Sequence, residues 1–309
     1  MIPFKWTPKA PMAFSVENET QVLTSGNYDI TTGGSLSVDA RDERLILRNA
    51  KELNWAADTV YISNGTIEVF LNGIKPASTD QRININALTT IGGKAGDACL
   101  SIYDAGKASS SSTTALLFSG DDIKILNNGT FNIGLTAPDT TADLSGKWEL
   151  SGNAILDVDV SSRNDGLLRT ESAEIILSLH SKLFLNSPII GTAKISLTDE
   201  ASAIIVTDEF YPSEASISLA GNSTVHLGSL TPGKLVIPQK AGLFNMASDG
   251  TPTIALYGID PLANGPIATG FGQKWLEDNH IIYVGGKPAA KGVLKFDFAS
   301  QDGIMLVSI

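Results

Sequence analysis

The stretch "LSGNAILDV" runs from Leu150 to Val158, and "LAGNSTVHL" runs from Leu219 to Leu227. Both read large apolar, small, Gly, Asn, small, any, apolar, any, apolar. A looser copy, "LSLHSKLFL" (Leu177–Leu185), puts Leu-His where the others have Gly-Asn, and "LTDEASAII" (Leu197–Ile205) puts Asp-Glu there. "IKILNNGTFNI" (Ile123–Ile133) and "VYISNGTIEVF" (Val60–Phe70) are the same phrase with one residue of slippage. Each copy holds two short runs of alternating apolar and polar residues joined by a polar corner. A period of two is the mark of strands, and Gly, Asn and Asp at the corner are the residues that tolerate unusual backbone dihedrals.

The copies recur at steps of 27, 20 and 22 residues, from Leu150 to Leu177, Leu197 and Leu219. Recurrence at this period signals stacked structural units. Helical repeats are ruled out, because no segment before Phe271 sustains apolar spacing at three and four. Units that each make a strand, a tight corner and a strand face the same local problem, so similar residues solve it each time. Leu150, Leu177, Leu197 and Leu219 are therefore expected in one inward stack. The alternative all-β arrangement is a β-sandwich, which also gives short strands and polar turns but gives hairpins no cause to reuse one corner sequence.

In the 309-residue chain, 42% of residues are hydrophobic and 18% charged, with a formal net charge of -11. That is enough apolar material for a sizeable core, so the chain is not expected to be disordered. The surface is polar but thinly charged. The acidic balance and scattered Lys and Arg argue against nucleic acid, which requires a basic track. A single cysteine, Cys99, excludes an intramolecular disulfide and a thiol-based zinc site made by this chain alone. Within "DACLSIYD" it reads as a buried, inert strand residue. The opening "MIPFKWTPKAPMAFSVENET" lacks the continuous apolar stretch of a signal peptide, and no run of about 18 apolar residues spans a membrane.

Three divisions follow. Residues 1–32 form an aromatic, proline-rich cap or attachment segment, 33–238 the repeating β unit, and 239–309 a C-terminal cap or small appended domain. In the last, "QKWLEDNH" reads as a short helical turn followed by strands. The closing run "GIMLVSI" must be buried in its own chain or against a partner.

The recurrence over roughly Ser35 to Pro238 resembles the right-handed parallel β-helix superfamily of phage tailspikes, surface adhesins and polysaccharide lyases. The resemblance implies a solenoid fold, all-β, and a structural or adhesive protein: a phage tail or receptor-binding component, or a bacterial surface or secreted one. Such a protein binds a polysaccharide or assembles into a particle, and it sits on a virion, outside the cell or on its surface. A homo-oligomer, and specifically a trimer, is implied by the resemblance alone. Polysaccharide lyase or hydrolase activity is the alternative, and a toxin-like or particle-decorating solenoid a further one.

The chemistry-bearing residues are few. Carbohydrate-cleaving solenoids use paired carboxylates, one as general acid and one as base or nucleophile. Asp157 and Asp159 lie two apart on a strand and so face the same way, and Arg163 and Asp165 follow in "SSRNDG". These four are the candidate acidic groove, although a solvated strand face and a polar turn explain the same residues. Trp275, Tyr257 and Tyr283 are the candidate sugar-stacking rings. His226 alternates outward and His180 sits in a corner. "GGKAGDACL" (Gly92–Leu100) resembles the calcium nonapeptide with one glycine displaced and in a single copy, and reads as a flexible loop. No cofactor, metal site or catalytic signature emerges, and enzyme activity is not the leading expectation.

Overall fold

The structure, a computed structural model, describes residues 12–14, 21–23, 35–50, 53–55, 59–71, 81–85, 88–93, 96–104, 114–135, 141–160, 166–230, 235–258, 272–299 and 304–309. These residues are nearly all β, with one short helix at Gln273–Asp278. The strands join one hydrogen-bonded network in which most pairings are parallel. Antiparallel pairs among the described residues are confined to the C-terminal part, where Ile304–Ser308 pairs with Thr253–Tyr257 and Lys295–Ala299, and Ile282–Val284 with Lys287–Pro288. The antiparallel pairing expected of a sandwich is not what joins the repeating strands.

The pairings fall into three ladders. In the first, Val38, Ile62, Ile91, Ile125, Leu150, Leu177, Leu197, Leu219 and Met246 stand successively in register. All nine are buried. The four leucines of the repeated phrase thus form one column, and each step of 27, 20 or 22 residues along the chain is one step across it. In the second ladder, Leu47, Val69, Ile102, Ile133, Val158, Leu185, Ile205, Leu227 and Leu256 make an equivalent buried column. In the third, Ala142, Leu168, Ile190 and Phe210 align, all fully buried.

Inward residues of all three ladders belong to one continuous hydrophobic cluster. Phe131 of the second ladder and Trp148 of the first stack inside it, with ring centroids 6.0 Å apart. The Trp148 indole N–H donates to the Ser145 carbonyl at 3.1 Å, so its polar edge is satisfied inside the core.

The repeated phrase marks the corner between the first and second ladders. Two residues after the column position, Asn127, Gly152, Leu179, Asp199 and Gly221 all have positive φ, between 49° and 73°. Four residues after it, Gly129, Ala154, Ser181, Ala201 and Ser223 are all buried. The chain must turn left-handed at the first position and pass close to its neighbours at the second, which requires a small side chain. Hydrogen bonds continue across the corners: His180 donates its amide to the Gly152 carbonyl at 3.1 Å, Glu200 to Leu179 at 3.0 Å, and Asn222 to Asp199 at 2.6 Å. The corners are therefore stacked like the strands.

The passage from the third ladder to the first has no polar corner. Thr141–Ser151 serves both, its first half pairing in the third ladder and its second half in the first. The bend is a break in register between Asp143 and Gly146, and Gly146 holds φ at 82°.

Parallel pairing begins before the expected solenoid and runs past its expected end. Met12–Phe14 and Gln21–Leu23 already pair with Ser35–Ala50. Beyond Pro238, Phe244–Gly250 and Ile282–Val284 extend the first ladder, and Thr253–Tyr257 the second. Most of residues 1–32 lies outside the described residues. The short helix and following strands of the C-terminal part are as expected from "QKWLEDNH" and its continuation. The apolar closing strand is held within its own chain between two neighbours, with Met305 and Val307 fully buried.

Candidate functional site

The second ladder has an outward face whose side chains are set by the period of two. Because Leu156 and Val158 point into the core, Asp157 and Asp159 point out and lie on the same side, half-buried. Alignment across strands then makes two outward columns. One runs Glu68, Ser101, Asn132, Asp157, Phe184, Ile204, His226. The other runs Phe70, Tyr103, Gly134, Asp159, Asn186, Val206, Gly228.

Polar groups occupy the middle of this face. The Asn132 amide donates to Ser101 Oγ at 3.1 Å, and the Asn186 amide to Asp159 Oδ1 at 3.2 Å. Burial, with Asp159 beside it, raises the Asp157 pKa above its ordinary value. Arg163 and Asp165, the other half of the expected acidic groove, lie outside the described residues.

Rings flank the polar centre. Phe70 and Tyr103 lie 5.7 Å apart, with the Arg48 guanidinium 5.6 Å from the Phe70 ring centre. On the other side Tyr257 stacks on His226 at 5.8 Å, and its hydroxyl is hydrogen-bonded to His226 Nδ1 at 2.8 Å. A glycine makes room for Tyr103, while the glycine beside Tyr257 leaves ordinary contact space. A Cβ on Gly134 would meet Tyr103 Cδ1 at 2.9 Å, and one on Gly228 would meet Tyr257 Cβ at 3.4 Å. Tyr103 thus leans along the sheet over a neighbour that has no side chain, whereas Tyr257 lies beside Gly228 and leans on His226. Three strand spacings, about 14 Å, separate the Tyr103 strand from the Phe184 strand, and three more separate that from the Tyr257 strand.

Beside Tyr257 the face dips into a pocket of about 310 Å³ lined by Ile204, Ile205, Val206, His226, Gly228, Ser229 and Tyr257. Ser229 donates to Asp208 Oδ1 at 2.7 Å. Burial lowers the His226 pKa, so the imidazole favours its neutral form. A second cavity, of about 500 Å³, lies by the helix, lined in part by Lys274, Glu277, Asp278, His280 and Lys291.

The three expected sugar-stacking rings are placed differently. Tyr257 belongs to the second-ladder face. Tyr283 lies on the first ladder, in register with Asn245. Trp275 is 8% exposed and packs in the hydrophobic cluster, because the helix turns Trp275 and Leu276 inward. Its ring is therefore core material and no open stacking surface. Tyr103 and Phe184 were not singled out from the sequence. Their neighbours on the face come from 20 to 33 residues away along the chain, and only the strand register reveals them.

Cys99 lies on the expected strand but is half-buried rather than buried. Ala98, Leu100 and Ile102 take the inward positions, which turns Cys99 outward. Burial pushes its thiol pKa up, away from the reactive thiolate. His180 sits in its corner 3.1 Å from Glu200. Among the described residues no three His, Cys, Asp or Glu side chains converge to hold a metal, and no helix is long and apolar enough to cross a membrane. No protein-family model, curated protein or solved structure matches the chain.

Proposed function

We propose that the chain is a parallel β-helix, a solenoid whose successive turns each contribute one strand to each ladder. It acts as a structural or adhesive protein that holds a polysaccharide along the outward face of the second ladder. Tyrosine rings laid along the face carry this reading: Tyr103 over Gly134 and Tyr257 against His226, with Phe184 midway. The C–H faces of a pyranose are apolar and its rim is all hydroxyl. Rings laid along a sheet match the first, and Asn132, Asp157 and Asp159 between them accept or donate hydrogen bonds to the second. The face spans about 29 Å from the Tyr103 strand to the Tyr257 strand, which suits a chain and not a single sugar. A phage tail or receptor-binding component, or a surface or secreted bacterial protein, is the setting this activity fits. Assembly as a trimer rests on resemblance alone, since the closing apolar strand is satisfied within its own chain.

A second reading, cleavage of the polysaccharide, is favoured by one observation. Asp157 has a raised pKa beside Asp159, the arrangement in which one carboxyl keeps its proton as general acid. One experiment separates the two. The protein is applied to a panel of capsular, O-antigen and plant polysaccharides, with retention and new reducing ends or unsaturated products measured together. Retention without products is expected. Products that vanish in Asp157→Asn would put cleavage first, and no retention on any glycan would remove both readings.

A further inference from the structure

We infer that the pocket beside Tyr257 selects a sugar bearing an acetamido group, with the acetyl methyl seated against Ile204 and Val206. The inference rests on the polysaccharide reading and specifies one subsite of it.

The pocket's composition points to this group. Its volume of about 310 Å³ lies at the low end for ligand pockets, room for one substituted sugar unit. Ile204 and Val206 supply an apolar wall from one strand, and Gly228 on the next strand leaves the floor open. The His226–Tyr257 pair makes the opposite wall. Polar atoms are few in this lining: the His226 ring nitrogens, the Tyr257 hydroxyl and the Ser229 hydroxyl. Among the described residues no Lys or Arg lines it, so none of them offers a carboxylate or sulfate a counter-charge. His226 favours the neutral state, which also weakens any attraction for an anion. An ammonium group would have to leave water for an apolar wall, with Asp208 already accepting from Ser229. An acetamido group fits all these features: a methyl for the wall, and an amide N–H and C=O for the neutral donors and acceptors.

The test uses the full chain and three β-1,4-linked oligomers sharing one backbone: N-acetylglucosamine, glucosamine and glucose. Affinities are measured by calorimetry for the native chain, Ile204→Asn and Gly228→Ala, with melting temperatures alongside. The acetylated oligomer is expected to bind at least about fourfold tighter than the glucose oligomer, the effect of one buried methyl. Ile204→Asn should erase that preference and Gly228→Ala reduce it by crowding the floor, both without loss of fold. Equal binding of acetylated and plain oligomers overturns the inference and leaves the polysaccharide reading standing. Tighter binding of the glucosamine oligomer overturns it in favour of an ammonium held by Asp208. If none of the three binds while other glycans of the panel do, the inference is also overturned. If no glycan binds at all, both readings fall.

Discussion

Gly152 lies against Asn127 at two stacked corners: a Cβ built on the glycine would stand 2.8 Å from the Asn127 Cα, and the two residues hold φ at 73° and 49°. The conformation and the crowding act together at Gly152. Gly152→Ala meets a left-handed penalty of about 1 to 2 kcal/mol for a residue with a Cβ, and a backbone contact that must yield as well. Denaturant unfolding should show a loss of at least that size. A neutral result would mean the corner is not left-handed.

Leu179 occupies the same corner position as Gly152, with φ at 59° and 48% of its surface exposed. Its side chain gives little burial in return for the strained backbone. Leu179→Asn should stabilise the protein by about 1 kcal/mol, because Asn adopts this region more readily. Destabilisation in the same unfolding measurement would show that the leucine packs on something the corner needs.

Leu197 is flanked in register by Leu177 and Leu219, and is 1% exposed. Leu197→Ala should cost about 2 to 5 kcal/mol, since columns on both sides hold their places and cannot collapse into the space. A cost near that of a surface substitution would break the inward stack.

Asp157 gives a pH dependence with a definite sign. Its folded pKa is raised above 3.8, so the folded state prefers the protonated form. Its contribution to stability is greatest well below 3.8, declines as pH rises through the folded value, and becomes a standing penalty at neutral pH. Asp157→Asn should raise the melting temperature at pH 7 and change it little in strong acid. A lower melting temperature at pH 7 would mean the ionised carboxylate is held by a favourable partner.

Ile304–Ser308 separates Thr253–Tyr257 from Lys295–Ala299. A chain ending at Gln301 loses that strand, leaving the last strand of the second ladder unpaired on that side. Its melting temperature should fall and light scattering should show association, the usual fate of an uncovered strand edge. A truncated chain that stays monomeric and equally stable would show that the strand closes nothing.

The column Leu150, Leu177, Leu197, Leu219 was legible in the sequence because alternation and a recurring corner act on the same residues. The third ladder was not, because Thr141–Ser151 bends by a slip in register near Gly146 and offers no polar corner to read. Pro238 and the irregular stretch after it hid the continuing ladders, since pairing depends on backbone register and tolerates a change of rhythm. Asp157 and Asp159 were legible as an outward pair from their spacing. Their meeting with Phe184 and Asn186 depends on a 27-residue step that no local pattern fixes. Trp275 misled because a six-residue helix gives too little periodicity to tell its buried side from its exposed one.

The second-ladder face is tested most directly by titrating a glycan retained in the polysaccharide panel against Tyr103→Ala, Tyr257→Ala and the control Ser196→Ala. Ser196 faces outward on the first ladder, in register with Ile176 and Ser218. The account predicts that each tyrosine variant weakens binding about tenfold or more while its melting temperature holds, and that the Ser196 variant binds as the native chain does. Unchanged affinity in both tyrosine variants, or a loss confined to Ser196→Ala, would contradict it.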